Sequence, residues 1–492
     1  MHDVLIAGGL VFDGEGGRPR QADLAVREGR VVAVGRLGGA AARLRLDAEG
    51  AWVLPGLVDV HTHYDLCLDW PGLGAHCLRQ GVTSVVGGNC GLGEADVAAV
   101  FARAAAARLP VHFAQLAPLG PLRSRVVPRC AGRAARADER PRVAAEAAAA
   151  LDAGAAGLSW GPYHANALMD REELLAAARV AAARGKPLCV HRRSEGAEGL
   201  RATREAVDLA RASGARLQIS HLKAAGRRNW SAFAEVVRVV EEGRRSLDLG
   251  VDLYPYDASL TYLSATIPDE LKADGGLLAR LRTPDGWAAA RAGVERWFRE
   301  RQGPERVVLL EPGLGVARGS TLEEAARHLG CADPAEAALR LVAADPKGTG
   351  GWATYREMMS PAHVEELLGR SYAAIASDAV PEEAGAGLSA HPRVYSTFAR
   401  VLARASAQGE EALSDAVRRC TGLPAERLGL GRGRLVPGAP ADALVLRGLE
   451  DRASYEEPEL YPRGVEAVVV GGQVALLAGE PTGEARGELL RP

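Results

Sequence analysis

The chain has 492 residues, 47% of them hydrophobic and 25% charged, with a formal net charge of −2. That is globular composition, and the length allows a large core without disulfide or metal staples. The balance of 60 Lys plus Arg against 62 Asp plus Glu excludes the basic excess of a nucleic-acid binder and the polybasic patch of a membrane anchor.

The chain opens MHDVLIAGGLVFDGEG, with no basic leader and no long apolar run. Neither a signal peptide nor a membrane span is expected, and the protein is expected in the cytoplasm. DLAVREGRVVAVG at 23–35 reads as a hairpin turning at Glu28-Gly29-Arg30, and VEAVVVGGQVALL at 465–477 as another turning at Gly471-Gly472. The two β-rich ends, 1–55 and 430–492, are expected to combine into one small β-sandwich. Between them, apolar runs recur at 57–61, 82–87, 111–117, 156–160, 187–191, 216–221, 250–255 and 372–377. Helical patterns follow most of them, as at 171–185, 200–214 and 229–243. This alternation predicts an α/β fold, a (β/α)8 TIM-type barrel over 56–429. The stretch 256–371 is too long for one crossover, so an inserted subdomain or lid is expected after strand seven.

A barrel of this kind carries its active site at the C-terminal ends of the strands. The first apolar run ends in His61-Thr62-His63, whose two imidazoles share one face of the strand. The second ends in Asn89-Cys90-Gly91, the fifth in His191, the sixth in His221, the seventh in Tyr254 and the eighth in Asp378. A lone strand-end histidine is more often structural than a ligand. Here four of the eleven histidines close three strands, beside a cysteine and an aspartate that close two more. Imidazole and thiolate suit Zn2+, which lowers the pKa of bound water to about 7. A carboxylate beside it can accept that proton and return it to a leaving group, and Asp378 is the candidate. The seven cysteines include no C-x-x-C pair, so no disulfide framework is expected, and Cys67, Cys77, Cys130, Cys189, Cys331 and Cys420 read as core or surface thiols. His76, His112, His328 and His363 read as structural.

Taken together, HTHYD at 61–65, GGNCG at 87–91, HRRSEG at 191–196, SHLKAAG at 220–226, YPY at 254–256, SD at 377–378 and HPRVYSTF at 391–398 resemble the N-acyl-D-amino-acid deacylase (D-aminoacylase) group of the amidohydrolase superfamily. The resemblance runs from residue 1 to about residue 490. It implies a (β/α)8 barrel with a small β-sandwich, and zinc-dependent hydrolysis of a small-molecule N-acyl amino acid to a carboxylic acid and a free amino acid. It also implies a tightly bound zinc on Cys90, His191 and His221, and a weaker second metal on His61 and His63 with Cys90 able to bridge. Asp378 matches the catalytic aspartate. Lys223, Arg393 and Tyr254 match groups that hold the substrate carboxylate or polarise the scissile carbonyl, and Arg193 is a further substrate-side candidate.

Two loops depart from the family. Ala117-Pro118-Leu119-Gly120 replaces a Gly-His-Gly-like turn, and either Tyr163 or His164 takes the place of a family tyrosine after strand four. Both loops are expected to border the substrate. These departures leave room for a deacylase or peptidase that trims a natural-product intermediate. A cyclic-amide hydrolase is disfavoured because strand four, AAGLSW, carries no lysine to be carboxylated as a bridging ligand. A deaminase would want a Glu soon after the strand-five histidine, whereas Glu195 is expected in a loop salt bridge with Arg192 or Arg193. A retired barrel serving as a binding module would have no reason to keep all six groups.

Overall fold

The computed structural model describes residues 1–128, 131–380, 391–483 and 487–492, apart from the side chains of His164 and Ala165. Eight parallel strands form the barrel wall. They are Leu57–Asp59, Val82–Gly87, His112–Gln115 continuing as Ala117–Pro118, Leu158–Trp160, Pro187–Val190, Arg216–Ile219, Leu249–Leu253 and Ala373–Ile375. Register partners run from strand to strand, with Val85 opposite Phe113, Ser159 opposite Cys189, Ile219 opposite Val251 and Leu253 opposite Ile375. A parallel bridge between Thr62 and Ala379 joins the last strand end to the first. Nearly every residue of these strands is buried. That explains why they read as continuous Val, Leu and Ala runs rather than as alternating ones.

Strand three breaks at Leu116, and its first half takes an extra partner, Leu489–Leu490 from the C-terminus, beside Phe113 and Ala114. Leu490 packs in one core with Val58, Val86, Ala114 and Ala374. The intervening helices bury one face each. The helix Arg171–Ala183 is capped by Asp170, which accepts from the Glu173 amide, and Gly199–Ser213 ends on Gly214 at φ 73°. The stretch predicted as one helix at 229–243 starts as a 3-10 turn, Arg227–Ala232, before the α-helix Phe233–Arg244. There the Asn229 and Trp230 side chains donate to Ala225 O and Met358 O. The amphipathic packing therefore begins only at Phe233, the first buried residue of the stretch.

The two ends of the chain share one nine-stranded sheet. Its hub, His2–Val11, pairs antiparallel with Arg20–Arg27 and parallel with both Ala42–Asp47 and Trp52–Pro55. Trp52–Pro55 then continues the sheet into Ala443–Glu450, Arg463–Val470 and Gln473–Leu477. The two hairpin turns carry the positive φ values expected of Gly-rich two-residue loops, 53° and 73° at Glu28 and Gly29, and 55° and 83° at Gly471 and Gly472. Val4, Ile6, Leu24, Val53, Val445 and Val469 form this sheet's own core.

Residues 256–371 contain helices and a three-stranded antiparallel sheet of Ser259–Tyr262, Trp352–Tyr355 and Val307–Leu309. They surround a separate core that includes Leu263, Val294, Leu309, Leu322 and Val342. Among the described residues, no helix is long and apolar enough to cross a membrane.

Candidate active site

The strand ends converge on one thiol. Cys90 Sγ lies 3.3 Å from His61 Nε2, 3.5 Å from His191 Nδ1 and 3.6 Å from His221 Nε2. Zinc–sulfur and zinc–nitrogen bonds of about 2.3 and 2.0–2.1 Å at a tetrahedral angle put the two donors about 3.5 Å apart. The donor set therefore fits zinc in both chemistry and spacing. Ligand atoms of His61, Cys90 and His221 lie within 4.8 Å of one another, as do those of His61, His63 and Asp378. Burial opposes ionisation of the Cys90 thiol, but the imidazoles of His61, His191 and His221 hold it well below the ordinary thiol range.

The backbone at this point is unusual. Cys90, His221 and Asp378 all adopt left-handed φ values, 57°, 32° and 50°. Non-glycine residues in this region store strain of order 1–3 kcal/mol each, and such residues cluster at functional sites. The chain closes tightly around the cysteine, because a Cβ on Gly161 would stand 2.4 Å from Cys90 O. Asn89 braces the loop by donating to Val60 O, Thr62 O and Val86 O.

Asp378 faces both sides of the site. Its Oδ1 is 3.4 Å from His61 Nε2 and 3.5 Å from His63 Nε2, and its Oδ2 is 2.8 Å from Arg393 Nη1. Burial favours the neutral acid, yet Arg393 and His61 hold this carboxyl well below the usual range. Arg393 Cζ lies 4.7 Å and Lys223 Nζ 5.6 Å from the centre of the Tyr254 ring, so two cations stand against one aromatic ring. The Tyr254 hydroxyl is 3.5 Å from Ser259 Oγ.

An open cleft of about 1480 Å³ joins these groups to the inserted segment. Its lining includes His63, Cys90, His191, His221, Lys223, Tyr254, Asp378 and Arg393 from the barrel, with Lys272, Trp297, Arg301 and Trp352 from the insert. Tyr163 also lines it, with its ring 5.0 Å from that of His191 and its hydroxyl kept protonated by burial. The His164 side chain lies outside the described residues. Arg193 reaches the cleft but is spent on Glu205 at 3.0 Å, on two backbone carbonyls and on the Trp160 face. The loop after strand three does not border the cleft. Ala117, Pro118, Leu119 and Gly120 are buried, and Gly120 is packed so that a Cβ would stand 2.2 Å from Asn166 Nδ2.

Two carboxylates escape the strand-end argument. Asp252 Oδ1 lies 3.1 Å from His61 Nδ1 and accepts from the His221 amide at 2.8 Å, while its Oδ2 accepts from Gln218. An acid inside the apolar strand LGVDL was the available signal. Glu195 is 3.9 Å from Arg192, but its nearer partners are His221 Nδ1 and Lys223 Nζ, both at 2.9 Å. The expected loop pair is present with Arg192 but not with Arg193, which turns to Glu205, and the inward fold of the loop adds the closer contacts to His221 and Lys223.

Residues 279–476 match the model of the amidohydrolase family. The chain is 33% identical to an N-acyl-D-glutamate deacylase of Alcaligenes xylosoxydans xylosoxydans, over 99% of this chain and 96% of that protein. It is 31% identical to a D-aminoacylase of the same organism, over 99% and 97%. Among solved structures, the N-acyl-D-glutamate deacylase of Bordetella bronchiseptica superposes with a TM-score of 0.84 at 30% identity, covering both chains completely. That protein was crystallised with zinc and a phosphonate mimic of the tetrahedral intermediate.

Proposed function

The chain belongs to the amidohydrolase family, in its N-acyl-D-amino-acid deacylase group, and on that premise we propose a zinc-dependent hydrolase that splits an N-acyl amino acid, with the D hand favoured, into a carboxylic acid and the free amino acid. The observation that carries this reading is the meeting of one thiol, three imidazoles and Asp378 beside the cations Lys223 and Arg393. Cys90, His191 and His221 would hold the zinc, and His61 and His63 a second, weaker metal. When bound, zinc supplies Lewis acidity that acidifies water and polarises the amide carbonyl.

The remaining work falls to side chains. Asp378 Oδ1 takes one proton from the attacking water as the C–O bond forms, then delivers it to the amide nitrogen as the C–N bond breaks. Arg393 and Lys223 bind the substrate α-carboxylate, which fixes the amide against Asp378. The Tyr254 hydroxyl stabilises negative charge on the carbonyl oxygen, a contribution of roughly 3–4 kcal/mol per donor in comparable sites. Tyr163 closes the cleft beside His191. The unpaired state of Cys67, Cys77, Cys189, Cys331 and Cys420 supports action in the reducing cytoplasm.

One observation favours an acidic substrate side chain. Arg301 lines the cleft with its guanidinium 6.0 Å from the centre of the Trp297 ring, and among the described residues it makes no ion pair. Lys272 stands in the same wall, held by Asp269 and Ser264 O. The test is a screen of N-acetyl and N-formyl D- and L-amino acids with zinc-loaded enzyme. Amine release from D-glutamate or D-aspartate derivatives is expected, and the absence of release from every N-acyl amino acid would refute the deacylase reading.

A further inference from the structure

We infer that Glu195 is a positioning residue, one carboxylate oxygen that couples the zinc seat to the anchor for the substrate carboxylate. The inference rests on the deacylase reading for its substrate half. Glu195 Oε1 stands 2.9 Å from His221 Nδ1 and 2.9 Å from Lys223 Nζ. The opposite ring nitrogen of His221, Nε2, points at Cys90 Sγ at 3.6 Å. A carboxylate that accepts the Nδ1 proton leaves the Nε2 lone pair facing the thiol, which is the form in which imidazole holds a metal.

The same oxygen restrains Lys223. An ammonium has donors only, and so does Nδ1–H, yet these two nitrogens lie 2.9 Å apart. One acceptor shared between them makes that contact tolerable. Glu195 is itself held from two sides. The Ala225 amide donates to its carbonyl, which ties the loop after strand five to the loop after strand six. Arg192, fully buried, approaches its side chain at 3.9 Å while donating to Thr203 and Lys223 O. The Glu195 side chain is only 13% exposed, so water is poorly placed to replace it. One carboxylate outside the proposed ligand set thus touches both the zinc ligand His221 and the substrate anchor Lys223.

The experiment compares Glu195→Gln, Lys223→Met and the double variant. Zinc affinity is read by chelator competition, and kcat and KM on an N-acetyl amino acid at saturating zinc. Glu195→Gln should weaken zinc binding about 10–100-fold. It should also raise KM about tenfold, because Lys223 loses a charged hydrogen bond, with kcat within about threefold. Lys223→Met should raise KM but move zinc affinity less than about threefold, since it leaves the Glu195–His221 contact intact. In the double variant the zinc loss should persist while KM rises no further. A folded Glu195→Gln protein with parental zinc affinity, or a KM rise that adds fully to that of Lys223→Met, overturns the inference. If the Gln variant does not fold, Glu195→Asp withdraws the charge by one methylene and should show the same pattern. Should the parent hydrolyse no N-acyl amino acid, the deacylase reading falls, while the zinc measurement still decides the His221 half.

Discussion

Replacing Asp378 by Asn removes a base while leaving its shape. Arg393 Nη1 donates to Oδ2 at 2.8 Å, so the amide oxygen of Asn takes that place and the NH2 turns towards His61 and His63, where Oδ1 stands at 3.4 and 3.5 Å. The variant can neither accept the proton of water nor return it to nitrogen. General acid–base catalysis is worth about 10²–10⁴-fold, so kcat should fall by that factor, roughly 3–5 kcal/mol of barrier. KM should not rise. Arg393 loses an anionic neighbour and keeps its whole charge for the substrate carboxylate. Zinc content should stay parental, because Cys90, His191 and His221 are untouched. Steady-state kinetics with metal analysis on one preparation reads all three quantities. A kcat within threefold of the parent would refute the assignment of Asp378, and a rise in KM with unchanged kcat would recast it as a binding group.

Cys90→Ala should lose its zinc on dialysis before it loses its fold, and full occupancy in that variant would reject the ligand role. Arg301→Met should cut kcat/KM on N-acetyl-D-glutamate more than about tenfold and leave N-acetyl-D-leucine within about threefold; equal losses on both would remove Arg301 from side-chain recognition. Asp442 is buried between His112 at 2.9 Å and Arg432 at 2.7 Å, and these partners outweigh burial and lower its pKa from 3.8 to about 2. A depressed carboxylate stabilises above its unfolded pKa and loses that contribution as pH falls through the folded one. Asp442→Asn should therefore cost about 2–3 kcal/mol at pH 7 and roughly half that at pH 3. Unfolding midpoints of both proteins at the two pH values check this, and a gap that widens at low pH would contradict it.

Local periodicity was enough to read the barrel. Its strands are buried on both sides, so each appears as a short unbroken apolar run, and each run stops where a polar side chain enters the mouth. The rule that such barrels work at their strand ends then singled out His61, Cys90, His191, His221 and Asp378 without knowledge of any contact. Strand three, by contrast, breaks at Leu116 and takes Leu489–Leu490 as a partner beside its first half. No pattern within 112–118 announces a partner from the far end of the chain. The same holds at the chain ends, where two legible hairpins did not reveal that His2–Val11 would be the hub of one branched sheet.

By itself the amino-acid order determined the class of fold, the strand tips and the donor chemistry, because each of these is written in residues a few positions apart. Only the folded molecule decided how the donors are held. Asp252 meets His61 across 191 positions and Glu195 meets His221 and Lys223 across 26 and 28, while Arg193, beside it in the chain, turns away to Glu205. A buried charge must find an opposite charge or a hydrogen bond wherever packing brings one, and chain distance puts no limit on that search.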